Sequence, residues 1–221
     1  MWRVLSPTGS LSERLPWLTL LLSGLAMTLY LIAGPAADSL VYDRAAIAGG
    51  EWWRLVSGHW VHSDSGHLVW NLAAFGLLGS LVETQRRRLL IVGLLVGTIA
   101  VDALLWLGLP GMARYCGLSG VLNTLLVLAL LSAWQGPQRG LTLTLGAGSL
   151  LKIVVEALNG QAILTQTAWP SVPLAHLAGW LAGLMLIGFQ WLLATRSHQG
   201  LPARSDCTTF PVSLGSRAKP T

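Results

Sequence analysis

Tyr115-Cys116-Gly117-Leu118-Ser119-Gly120-Val121-Leu122 opens an apolar run that continues to Trp134. A serine set between glycines stands at the mouth of that run. A second run opens on a histidine, in Ala175-His176-Leu177-Ala178-Gly179-Trp180-Leu181-Ala182-Gly183. An imidazole in hydrocarbon must find a partner or cost free energy, so a membrane segment has little reason to carry one unless it is used. A serine and a histidine at the mouths of two membrane helices suggest a nucleophile and its base meeting inside a bilayer.

The rest of the chain supplies that bilayer. Of its 221 residues, 53% are hydrophobic and only 10% charged, and the mean hydropathy is +0.60. Soluble domains carry about 25% charged residues, so a water-soluble globule is excluded. The net charge of +5 does not indicate nucleic acid, because the basic residues lie between apolar runs and at the ends. Eleven tryptophans, among them Trp17, Trp52, Trp53, Trp106, Trp134, Trp169 and Trp191, cluster near the ends of apolar runs, the headgroup level that amphipathic rings prefer. Cys116 and Cys207 have no metal-type spacing, and their positions do not favour a disulfide.

Six apolar stretches, Leu15–Ala33, Gly66–Val82, Leu89–Leu109, Ser119–Trp134, Leu141–Leu158 and Val172–Ala194, approach the roughly 20 residues that cross a bilayer. The fourth is short. Arg3 and Arg14, the run Arg86-Arg87-Arg88, Arg139, and Arg196, Arg204, Arg217 and Lys219 all fall on one side if the N-terminus is cytoplasmic. The expected fold is therefore an all-α integral membrane bundle of six transmembrane helices with both termini inside. Residues 1–194 form the membrane domain, and 195–221, basic and without apolar period, a disordered cytoplasmic tail. The first stretch also resembles a signal peptide, with Ala36-Ala37 after it, but cleavage there leaves five spans and puts the basic loops on the wrong side.

This topology puts three distant segments at one depth. His67 and Asn71, spaced i,i+4 on one helix face, enter the second span from outside; Ser119 and His176 begin the fourth and sixth at their outer ends. Histidine can take the proton of a serine hydroxyl at neutral pH. The N–H of Ser119, the Asn71 amide and a His67 N–H are candidate donors to an oxyanion, and Gly117 and Gly120 let the backbone turn sharply and admit a substrate carbonyl. No acid is evident near His176, so a Ser–His dyad is the economical reading. The polar run Ser57, His59, His62, Ser63, Asp64 and Ser65 can keep the outer mouth wet. Gly179 and Gly183, on the face of His176, are expected to pack closely on a neighbour, as are Gly93 and Gly97.

At these residues the chain resembles the rhomboid family of intramembrane serine proteases. Trp53-Arg54, His67 with Asn71, Gly117-Leu118-Ser119-Gly120, and Ala175-His176 with Gly179 and Gly183 match the family's motifs in order, and Glu83 matches a further position. The similarity is strongest over 51–183. Within the family the chain is most like the rhombosortase branch, on its compact size, Arg54-Leu55-Val56-Ser57-Gly58-His59, Tyr115-Cys116, and Lys152 with Glu156. The resemblance implies catalytic roles for Ser119 and His176, stabilising roles for His67, Asn71 and Gly117, a short fourth helix at the bottom of an outward-facing cavity, and no cofactor or metal. It implies a bacterial inner-membrane protein acting at the periplasmic face. The expected partners are the lipid bilayer and exported proteins ending in a Gly-rich motif, a membrane helix and basic residues. Asn123 departs from the family, where many members have a Tyr packed on the histidine and rhombosortases commonly a His.

Three other readings stand beside this one: a general rhomboid protease for single-pass proteins, an inactive relative that only binds membrane segments, and a metal site built from His59, His62, His67 and Asp64. Lys152 and Glu156, spaced i,i+4, and Asp102 read as bundle-facing charges, the first two as a buried ion pair holding helices together.

Overall fold

The structure is a computed structural model that describes residues 15–134, 137–160, 162–163 and 167–199. Helix α1 (Trp17–Ala33) has no side-chain cap of its own. Its orphan donors are met from another helix. The Leu18 and Thr19 N–H groups donate to the Glu83 carboxylate at 3.0 and 2.8 Å, and the Thr19 hydroxyl adds a third bond at 2.8 Å. Gly79, one turn earlier on that second helix, makes room, since a Cβ there would stand 2.9 Å from the Thr19 side chain.

The stretch after α1 is ordered by polar contacts and by two small apolar clusters, Ala37, Val41 and Val61 with Cys116, and Tyr42 and Ile47 with Val101, Leu105 and Tyr115. It holds strand β1 (Tyr42–Asp43), helix α2 (Arg44–Ala48) and helix α3 (Arg54–Ser57). Asp43 caps α2 by accepting from the Ala45 and Ala46 N–H groups. Arg54 is buried, donating to the carbonyls of Asp38 and Val41 and pairing with Glu51. β1 pairs antiparallel with β2 (Arg114–Tyr115), Tyr42 opposite Tyr115 and Asp43 opposite Arg114. This two-residue ladder joins the segment between α1 and the next long helix to the chain just before Ser119.

Helix α4 (Ser65–Ala103) merges the second and third apolar stretches, but Arg86 has extended angles (φ −155°, ψ 99°) inside it. The helix folds back there. Its start and its end both lie against the beginning of α5 (Ser119–Trp134): His67 flanks Gly117, while Val101 flanks Gly120. A straight helix would hold those two residues about 50 Å apart. The hairpin thus turns at Arg86-Arg87-Arg88, within the break expected from sequence. The second arm ends in a π-helical turn (Leu104–Gly108); the carbonyls of Leu105 and Trp106 in it and of Leu109 just after it accept from the Arg44 guanidinium.

α5 is the enclosed centre. Val121, Leu125 and Leu128 are buried with Phe75 and Val82 of the first arm of α4 and Leu90 of the second. Small residues set the spacing: a Cβ on Gly93 would meet Leu128, and one on Gly97 would meet Thr124. Helix α6 (Arg139–Asn159) stops at Gly160, which adopts φ +68° as a left-handed cap. Helix α7 (Pro173–Gln199) runs past the expected end at Ala194. It runs parallel to α5, with Gly179 on Gly120 and Gly183 on Val127, and the Thr124 hydroxyl donates to the Gly179 carbonyl at 2.8 Å. Arg3, Arg14, Cys207 and residues 200–221 of the expected tail lie outside the described residues.

The outer faces are apolar: Leu31, Ile32, Leu107, Leu158 and Met185 are each more than 70% exposed. So much exposed hydrocarbon suits lipid, not water. Three helical stretches among the described residues, Ser65–Gly108, Arg139–Asn159 and Pro173–Leu193, are long and apolar enough to cross a membrane, and Trp17–Ala33 and Ser119–Trp134 are shorter apolar helices.

Candidate active site

Ser119 is the first residue of α5 and His176 lies in the first turn of α7. The parallel packing of those helices through Gly120, Gly179 and Gly183 brings the two side chains together. His176 Nε2 is 3.0 Å from Ser119 Oγ. Gly179 is indispensable to that approach, because its Cα side lies so close to the Gly120 carbonyl that a Cβ would stand 1.9 Å from the oxygen.

The first arm of α4 delivers His67 and Asn71 to the same place. Asp64 caps this arm, accepting from the His67 N–H at 2.8 Å. The same carboxylate accepts from the Ser63 hydroxyl and from the Ala168 N–H, tying the segment before α7 to the mouth of α4. Burial alone would raise the Asp64 pKa, but these hydrogen bonds outweigh it and hold the carboxyl below its usual range. Ser63 Oγ also lies 3.0 Å from His67 Nδ1, which turns the other edge of the ring toward Gly117.

Gly117 has φ +106°, and a Cβ on it would stand 2.4 Å from the His67 ring and 3.4 Å from Asn71 Nδ2. Glycine is required here twice, for conformation and for clearance. The Gly117 N–H donates to the Gly58 carbonyl at 2.9 Å. With its N–H engaged there, Gly117 offers the site space rather than a free donor. Asn71 Nδ2, by contrast, is buried and has no hydrogen-bond partner among the described residues.

A cavity of about 1230 Å³ opens onto Ser119, His176, His67 and Asn71. Leu78, Leu122 and Leu126 give it apolar walls, and Lys152 and Glu156 reach it from α6. The sequence offered no acid near His176, but the fold supplies one. Glu156 Oε2 stands 3.6 Å from His176 Nδ1. The Lys152–Glu156 pair is present within α6, Nζ to Oε1 at 2.6 Å, and its Glu156 end faces α7. The only sequence signal was two charges one turn apart in an apolar run; nothing in their spacing pointed to α7. Asn123 donates to the Ser119 carbonyl at 2.9 Å and makes no hydrogen bond to the imidazole.

The other histidines are occupied differently. His59 Nε2 is 3.2 Å from Asp102 Oδ1, so Asp102 faces the bundle as expected. His62 is buried with its ring 5.1 Å from that of His67, and burial, aided by that neighbour, pushes its pKa down to about 3. Among the described residues no three His, Cys, Asp or Glu side chains are placed to hold a metal ion, so His59, His62, His67 and Asp64 do not converge as ligands.

Comparison with known proteins agrees with the motifs. A search of curated proteins returns no match. A family model described as the Rhomboid domain matches residues 49–192, well over half of the chain. The chain belongs to the rhomboid family.

Proposed function

We propose that this protein is an intramembrane serine endopeptidase, with Ser119 as nucleophile and His176 as its base. One observation carries the reading: the 3.0 Å approach of His176 Nε2 to Ser119 Oγ on the wall of the large cavity. The rhomboid family is one of intramembrane serine proteases, which is the activity this geometry suits.

In this reading Ser119 Oγ attacks a peptide carbonyl while its proton passes to His176 Nε2. The oxyanion that forms is met by the free Asn71 Nδ2 and by the N–H of Ser119, which at a helix start has no carbonyl one turn back. His67 joins them when its Nε2 carries a proton. Collapse breaks the C–N bond as His176 returns the proton to the leaving amine. A water entering the cavity, activated by His176, then cleaves the Ser119 ester.

The bundle sits in a bacterial inner membrane with six spans, both termini cytoplasmic and the cavity facing the periplasm. The arginine-rich turn at Arg86–Arg88 supports this, since it lies midway along α4, at the end of the hairpin away from Ser119. The substrates are exported proteins with a C-terminal Gly-rich motif, membrane helix and basic residues, as the rhombosortase-like cues at Arg54–His59 and Tyr115–Leu122 imply. A glycine-rich chain suits an active site where Gly117 and Gly120 already bring backbone close. The test is a pair of reporters in proteoliposomes, one with a Gly-rich, helix-anchored tail and one with the same helix and no glycines. Cleavage of the first alone supports the tail-specific reading. Equal cleavage of both makes the protein a general rhomboid protease, and cleavage of neither overturns the proposal.

A further inference from the structure

His176 needs something to hold its ring. No aromatic side chain stacks on it among the described residues, and Asn123 bonds the Ser119 carbonyl instead. The imidazole nevertheless aims Nε2 at Ser119. Its other nitrogen faces a carboxylate.

Glu156 is fully buried, and its two oxygens are used unequally. Oε1 accepts from Lys152 Nζ at 2.6 Å and from the Ile163 N–H at 3.0 Å. Oε2 has no hydrogen-bond partner among the described residues and points at His176 Nδ1 from 3.6 Å. A purely structural ion pair has no use for such an oxygen, since leaving a buried acceptor unmet is costly. Lys152 neutralises the carboxylate from within its own helix, one turn away, without occupying the oxygen that faces the histidine. The order Ser119 Oγ, His176 Nε2, His176 Nδ1, Glu156 Oε2 is the order of a nucleophile, base and orienting acid, assembled from α5, α7 and α6.

We propose that Glu156 is a positioning residue that completes a Ser119–His176–Glu156 triad. It rests on the protease reading above. The 3.6 Å gap lies outside hydrogen-bond range and closes when substrate fills the cavity, as hydrogen bonds of resting active sites commonly tighten on binding. Nδ1–H then donates to Oε2, which fixes the tautomer with the Nε2 lone pair toward Ser119. The proton taken from Ser119 goes to Nε2 and returns to the leaving amine. Glu156 stays ionised throughout and stabilises the imidazolium. Lys152 keeps its other oxygen in place.

The experiment compares wild type, Glu156→Gln, Glu156→Asp, the double variant Lys152→Met/Glu156→Gln, and Ser119→Ala. Each is tested on a helix-anchored reporter and with a fluorophosphonate that labels an activated serine. Glu156→Gln is expected to lower kcat on the order of 10²-fold with KM nearly unchanged. That loss is below the roughly 10⁴-fold caused by neutralising a hydrogen-bonded triad acid, because the resting contact is longer. The labelling rate of Ser119 should fall in parallel, and Glu156→Asp should recover part of both. The double variant removes the half-buried ammonium that Glu156→Gln leaves unpaired, and it should fold and stay slow. Wild-type kcat in either neutral variant overturns the triad, as does a loss that only tracks the folded fraction. If wild type neither cleaves nor labels, or Ser119→Ala does both, the protease reading fails and takes the triad with it.

Discussion

Replacing Gly179 with alanine tests the helix contact that sets the serine–histidine distance. The added Cβ would stand 1.9 Å from the Gly120 carbonyl oxygen and 2.9 Å from its carbon. Both obstacles are backbone, in the first turn of the central helix, and cannot rotate away. Restoring ordinary contact requires α7 to retreat by about 1.5 Å. His176 lies one turn earlier on the same face, so most of that displacement is added to its 3.0 Å separation from Ser119. The bond from Thr124 to the Gly179 carbonyl stretches with it. Overpacking of this kind costs about 1–3 kcal/mol of stability, and misplacing a reacting group by about 1 Å costs on the order of 10²-fold in rate. Gly188→Ala is the control on the same helix, since a Cβ there meets nothing within 4 Å. The assay is initial-rate cleavage of a helix-anchored reporter, with thermal unfolding measured in the same detergent. Gly179→Ala should lose at least about 100-fold in kcat while Gly188→Ala matches wild type. Full activity and unchanged Tm in Gly179→Ala would refute the claim that this backbone contact positions the histidine.

Two further predictions concern stability. Glu83→Ala removes the carboxylate that meets the Leu18 and Thr19 N–H groups and Arg87, and should cost about 3–5 kcal/mol by chemical unfolding, with kcat at low temperature retained because Ser119 lies at the opposite end of the hairpin. Asp64 has a folded pKa below its ordinary value of 3.8, so its stabilisation is complete above that value and is lost as pH falls through the lower folded one. The Tm gap between wild type and Asp64→Asn should therefore hold from neutral pH to about pH 4 and close in more acid buffer; a gap that closes above pH 5 would show that the carboxylate is not held down.

Much of the fold was legible because apolar periodicity speaks directly for helices in lipid. The break at Arg86 was marked by three arginines that hydrocarbon will not accept, and the start of α5 by Gly117, which takes a positive φ in the turn between β2 and α5. His67, Asn71, Ser119 and His176 were legible as polar residues at the mouths of apolar runs. What sequence withheld were partners chosen by helix packing. Glu83 reads only as the end of a span, yet its role is to cap α1, set by the close approach of Gly79 to Thr19. Lys152 and Glu156 display their own spacing, but the rotation of α6 that aims Oε2 at His176 depends on contacts no local pattern encodes. The β1–β2 ladder is two residues long, too short for any alternation. For Gly117 the sequence suggested a sharp turn; its positive φ and the His67 ring packed against it appear only in the structure.

The most direct test of the central claim is mass-spectrometric mapping of fluorophosphonate labelling and reporter cleavage in wild type and Ser119→Ala side by side. The account predicts one labelled residue, Ser119, in wild type. In Ser119→Ala it predicts neither label nor cleavage, with Tm unchanged. Normal cleavage by folded Ser119→Ala, or a label on another serine that tracks activity, would contradict it.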